Sequence, residues 1–171
     1  MRAWLLVAGA ALWVLAGACK DAQTGAPPGL SDVARRELPA CEWAEVTRVV
    51  DGDTIHVELN GVDERVRYIG IDAPEEHADG GPEPFADEAT AANASLVGDK
   101  RVCLERDTSE RDRYGRLLRY AWLEDGRMVN EALVAAGLAE AVEYRPDTKY
   151  ESSILEPAEA RARSERRGIW H

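Results

Sequence analysis

Polar and apolar residues alternate most regularly over Thr54 to Leu59, where Ile55, Val57 and Leu59 fall on one side. A period of two marks a half-buried strand. The preceding stretch, Glu42 to Val50, is β-prone and predicts another. Asn60-Gly61 is a two-residue hairpin signal. It leads into a third strand over Arg65 to Ile71, with Val66, Tyr68, Ile69 and Ile71 available to a core. Asp72-Ala73-Pro74 ends that strand, because proline lacks the N–H a ladder needs.

Residues 75 to 84 are rich in Gly, Pro and acids and predict a loop. Ala86 to Val97 is Ala-rich and predicts a helix closed by Gly98. Arg101 to Glu105 and Arg116 to Leu123 read as two more strands around a charged loop, Asp107 to Gly115. Helices are then expected over Asn130 to Ala139, with Leu133, Val134 and Leu138 on one face, and over Tyr150 to Arg167. Five short strands with a helix between the third and fourth give an α+β class, an OB-type barrel with three helices.

The start of the chain follows different rules. Arg2 precedes an apolar run from Ala3 to Ala18 that ends in Ala16-Gly17-Ala18, the small-x-small pattern of a cleaved export signal over 1–18. Leu15 to Cys19 resembles a bacterial lipobox, with Ala16 where a larger aliphatic is usual. Cys19 is therefore a candidate lipidation site and membrane anchor, and secretion without lipid is the alternative. Residues 19 to 40, with Pro and Gly clustered over 25–29, have the composition of a tether, leaving 41–171 as the domain. Two cysteines remain, Cys41 and Cys103, and in an exported protein such a pair invites a disulfide. Too few Cys and His are present for a zinc site.

At 171 residues and 45% hydrophobic content the chain can bury one ordinary core. Its net charge is −11. Such a surface repels phosphate backbones, so nucleic-acid chemistry has to rest on a local cationic cleft and a metal.

Three segments supply candidates. Asp51-Gly52-Asp53 on its own reads as a tight turn with solvated carboxylates. Arg67 shares strand parity with Ile69 and Ile71, and Asp72 and Glu75 straddle a bend stiffened by Pro74. If the strands bearing Asp53 and Asp72 are neighbours, their carboxylates converge into a hard oxygen site suited to Ca²⁺. Glu75, further out, is placed to hold a water. In Asp112-Arg113-Tyr114-Gly115-Arg116, the glycine permits a sharp bend and Arg116 opens a strand.

In order and spacing these segments, together with Met128 to Val134, Gly137-Leu138-Ala139 and the ending Gly168-Ile169-Trp170, resemble the staphylococcal nuclease family over about residues 43 to 171. The resemblance implies a five-stranded OB barrel with three helices that cleaves DNA and RNA with Ca²⁺ and leaves 3′-phosphate ends. By motif position it implies Asp53, Asp72 and the carbonyl of Ala73 as metal ligands, and Asp51 behind them. Glu75 takes the place of the general base, Arg67 and Arg116 those that grip the phosphate, and Tyr114 and Tyr144 those that contact the nucleotide. Two departures stand out: Ala73 where threonine is common, and Val142 where a further tyrosine is expected.

The expected partner is a single strand of DNA or RNA bound by a monomer. Two other readings compete: an OB-fold binding module with weak catalysis, and an extracytoplasmic Ca²⁺-binding lipoprotein. The first is disfavoured by the retention of all five of Asp53, Arg67, Asp72, Glu75 and Arg116. The second is disfavoured by the two arginines, since a pure Ca²⁺ site gains nothing from nearby cations.

Overall fold

A computed structural model describes residues 26–171. The expected signal peptide over 1–18 and the lipidation site Cys19 lie outside the described residues.

The chain forms β1 (Glu42–Val49), β2 (Thr54–Leu59), β3 (Val62–Tyr68), β4 (Ile71–Asp72), α1 (Ala86–Val97), β5 (Arg101–Glu105), β6 (Leu117–Trp122), α2 (Val129–Ala135), β7 (Glu140–Ala141) and α3 (Glu156–Ser164). Five strands close a barrel in the order β1-β2-β3-β6-β5, with β3 and β6 parallel and the other pairs antiparallel. This is the expected five-stranded barrel with three helices. Closure removes free sheet edges and directs Ile55, Val57, Val66, Val102 and Leu104 into a common core. Among the described residues no helix is long and apolar enough to cross a membrane.

Several boundaries move for identifiable reasons. Asn60 (φ 54°) and Gly61 (φ 81°) form the tight turn of the hairpin, so Leu59 pairs directly with Val62 and β3 starts three residues before Arg65. At the other end Gly70, at φ 75°, turns the chain out of the ladder. The expected strand to Ile71 is therefore two: β3 in the barrel, and β4, which leaves it to pair with β7. Helix α2 stops at Ala135 instead of Ala139, closed by Leu138 N donating to Leu133 O and Gly137 N to Val134 O. The last helix begins as a π-turn over Glu151–Leu155 before α3, and it ends at Ser164, three residues short of Arg167, with Arg166 at φ 52° turning the chain away.

The tether expected over 19–40 is corrected in its second half. Leu30 and Val33 are buried. Arg36 pairs with Glu131 of α2, and its backbone N–H donates to Gly126 O. Two apolar residues three apart, just after the Pro/Gly-rich run over 25–29, carry the signal: residues 29–36 strap the α2–α3 end of the barrel. Cys41 and Cys103 form a disulfide, their Cα atoms 5.6 Å apart, tying the start of β1 to β5.

Candidate active site

The β1–β2 turn has to bring two carboxylates against the bend that follows β4. Gly52 makes this possible, because a Cβ there would stand 2.6 Å from the Ala73 Cβ and 2.8 Å from that of Ala89. Buried Asn93 of α1 holds the turn by donating to the Asp51 carbonyl at 2.8 Å while accepting from the Tyr68 hydroxyl at 3.1 Å. Asp51 Oδ1 accepts from the Asp53 N–H at 3.0 Å, an Asx-type contact that orients the residue between them.

Asp53 is 5% exposed. Its Oδ2 lies 2.8 Å from Arg67 Nη1 and accepts the Ala73 N–H at 2.9 Å, and its Oδ1 accepts the Thr54 hydroxyl at 3.0 Å. Burial pushes the Asp53 carboxyl up to about 7, a rise that the Arg67 charge opposes and the neighbouring Asp51 reinforces.

Arg67 is likewise buried, on β3 directly across from Thr54. Nη1 also donates to the carbonyls of Tyr68 (3.1 Å) and Ile71 (2.9 Å), while Nη2 reaches Asp72 Oδ1 at 2.6 Å. One guanidinium fork therefore bridges Asp53 and Asp72. The two carboxylates share Arg67 as a partner. Their strands are not paired: β2 lies against β3, and β4 against β7.

Across the cleft, Asp112 organises the loop that ends in Arg116. Its Oδ1 accepts the N–H groups of Tyr114 (2.8 Å) and Arg116 (2.9 Å), and its Oδ2 accepts Arg116 Nε at 2.6 Å. Burial raises the Asp112 carboxyl, yet the Arg116 side-chain and backbone bonds hold it below the usual carboxylate range. Tyr114 is exposed, with the Arg113 and Arg116 guanidinium carbons 4.7 and 5.6 Å from its ring centre.

This loop is pinned at two further points. Arg111 forks onto Glu64 of β3 at 2.7 and 2.8 Å. Arg119, 2% exposed in β6, bonds Glu110 Oε1 at 2.5 Å and the Glu110 carbonyl at 3.2 Å. From sequence, Asp112 belonged to a candidate segment without a role of its own, and Arg119 was not a candidate. Each carried a signal: an Asp three residues before a Gly and four before an Arg is an Asx-turn pattern, and a single charge inside Leu117–Trp122 has to be paired.

Asp51, Asp53, Arg67, Asp72, Ala73, Glu75, Tyr114, Arg116 and Tyr144 all line one cleft of about 610 Å³. Exposed Glu75 is placed at its rim by a backbone bond to Glu83 Oε2 at 2.9 Å. Cys41 and Cys103 lie at the disulfide, away from that lining. Among the described residues there is no cluster of three or more His, Cys, Asp or Glu side chains arranged to hold a metal. The donor chemistry nevertheless fits a hard cation. Asp53 and Asp72 both reach the Arg67 guanidinium, Asp53 is desolvated, and the Ile71 carbonyl accepts from the same guanidinium, so hard oxygen donors gather around one buried cation.

The staphylococcal nuclease homologue family profile matches residues 65–171, which include β3, the bend bearing Asp72 and Glu75, and the Arg116 loop. The chain belongs to the staphylococcal nuclease family. It is 42% identical over 127 residues to the thermonuclease of Staphylococcus hyicus, and 41% identical over 126 residues to that of Staphylococcus intermedius. The first alignment covers 74% of each chain; the second covers 73% of this one and 74% of its relative. A prophage-derived endonuclease, YokF of Bacillus subtilis, is 42% identical over 75% of this chain and 45% of its own length. As a member of this family the protein is a nuclease, and the OB-type barrel places its cationic and acidic groups in one cleft.

Proposed function

We propose that the protein is a Ca²⁺-dependent phosphodiesterase that hydrolyses DNA or RNA, single strands preferentially, to 3′-phosphate ends. The observation that carries this reading is the arrangement of charges in the cleft. A buried guanidinium bridging two carboxylates faces a second guanidinium held by Asp112, with the Glu75 carboxylate, unpaired among the described residues, at the rim.

Asp53, Asp72 and the Ala73 carbonyl would hold the ion. When bound, Ca²⁺ neutralises and polarises a phosphoryl oxygen. The chain's own groups account for the rest. Arg67 and Arg116 approach the phosphate from opposite walls and stabilise the charge that builds on its equatorial oxygens. Glu75 takes a proton from water as the water oxygen bonds to phosphorus. The bond from phosphorus to the 5′ oxygen breaks, and that oxygen regains a proton from solvent. Arg116 stabilises the departing oxygen by charge, since a guanidinium is too weak an acid to donate a proton readily. Tyr114 and Tyr144 offer ring faces to the nucleotide, where each stacked base contributes about 1 to 3 kcal/mol.

The Cys41–Cys103 bond supports an oxidising location, in keeping with export and acylation at Cys19. The protein is expected to act as a monomer. The test is cleavage of single-stranded DNA and RNA at low salt with Ca²⁺ or a chelator, beside Glu75→Gln. Cleavage lost with the chelator and reduced at least a hundredfold in the variant supports the reading. Undiminished cleavage in either arm refutes it.

A further inference from the structure

Next to the main cleft lies a second cavity of about 380 Å³ with Arg65 and His77 in its wall. Asp51, Glu75 and Arg116 line both cavities, so the two meet at the reacting groups. The second cavity adds Arg65, together with Val50, Glu76 and His77. Arg65 lies two residues from Arg67 on β3, hence on the same face and about 7 Å along the strand.

Strand register extends the feature. Arg65 pairs with His56 on β2, and His56 pairs with Arg48 on β1. The three side chains form one row on the outer face of the barrel, since Ile55, Val57 and Val66 on the alternate positions are fully buried. A bulge at Thr47 brings Arg48 rather than Thr47 opposite His56. Arg48 Nη2 lies 2.9 Å from His56 Nε2, and His56 Nδ1 lies 3.0 Å from Asp63 Oδ2. Arg67, Arg111 and Arg116 are each held by a carboxylate. Arg48 and Arg65 are exposed and pair with no carboxylate among the described residues. The next row on the same face is acidic: Glu45, Glu58 and Asp63. On a chain of net charge −11, a cationic row bounded by an acidic one and continuous with the reacting groups is a track for a linear polyanion.

We infer that Arg65 and Arg48 form a subsite for the phosphodiester backbone of the substrate strand, on the far side of the scissile phosphate from Tyr114 and Tyr144. Arg65 holds the adjacent phosphate and Arg48 the next. The inference rests on the nuclease reading for its substrate, but binding tests it separately from cleavage.

The experiment measures fluorescence anisotropy of a labelled single-stranded twelve-nucleotide DNA and of a dinucleotide. The protein carries Glu75→Gln to prevent turnover, with Arg65→Gln, Arg65→Lys or the pair Arg48→Gln and Arg65→Gln added, between about 50 and 200 mM salt. Each arginine-to-glutamine change should weaken the long strand about three- to fivefold. It should also flatten the salt dependence by about 0.7 log units per log unit of salt. Dinucleotide binding should not change, and Arg65→Lys should keep the salt slope. Both arginines are exposed, so melting temperatures should match and report intact folding. Equal weakening of both ligands, or an unchanged salt slope, overturns the subsite. Length-dependent binding that needs Arg65, in a protein that cleaves nothing when Glu75 is intact, keeps the subsite and refutes the nuclease reading instead.

Discussion

Replacing Asp53 by asparagine keeps the shape of a buried side chain and removes its charge. The carboxyl titrates near 7 in the folded protein against 3.8 for the unperturbed group. Between those values the folded state binds more protons than the unfolded state, so rising pH destabilises the fold. The loss begins above the unfolded value and is complete above about 7. A gap of roughly three pH units corresponds to on the order of 4 kcal/mol. The substituted amide does not titrate, and every other carboxylate is common to both proteins. Urea unfolding without divalent cations should therefore show the Asp53→Asn variant close to the wild type at about pH 4 and more stable by up to that amount at about pH 8. Added Ca²⁺ should stabilise the wild type at the higher pH far more than the variant. A stability difference that does not change with pH would refute the claim that desolvation dominates at Asp53.

Three further outcomes follow from the packing. Glu110→Ala strands the buried Arg119 guanidinium, and should cost about 2 kcal/mol in urea unfolding and lower kcat/KM about tenfold by loosening the Arg116 loop. Cys41→Ser with Cys103→Ser opens a closure spanning 62 residues, and should lower unfolding free energy by about 4 kcal/mol on the chain-entropy estimate. Leu30→Ala should cost about 2 kcal/mol by calorimetry without changing kcat, because the strap packs at the α2–α3 end and takes no part in lining the cleft.

What the sequence made legible were elements whose local and tertiary preferences agree. The spans of β2, α1 and β5 follow from alternation, from an alanine run closed by Gly98, and from a short apolar strand bounded by charges. The barrel followed from their order. Elements created only by tertiary contact were illegible. Strands β4 and β7 have two residues each and exist because Gly70 turns the chain toward Glu140 and Ala141. The strap over 29–36 has tether-like composition, and only the pocket that receives Leu30 and Val33 makes it structure. At the site, the motifs and the family resemblance they carry named nine of the residues that line the cleft. They did not reveal that Arg67 would bridge two carboxylates, since that depends on a bend and on the close approach Gly52 allows.

The balance of charge in the cleft ties these observations together. Six acids line it (Asp51, Asp53, Asp72, Glu75, Asp112 and Asp147) against five arginines (Arg67, Arg111, Arg113, Arg116 and Arg145). The acids are there for a structural reason: Asp53, Asp72 and Asp112 fix the two guanidinium groups in place. Holding cations with anions cancels the attraction those cations would exert on a phosphate at a distance. With all groups ionised the lining carries one net negative charge, and a divalent cation reverses its sign. Ion and phosphate then favour each other's binding, and the coupling is reciprocal. On an acidic protein the proposed ion would then serve to capture substrate as well as to cleave it, and the inferred Arg65–Arg48 subsite would add an attraction that does not depend on it.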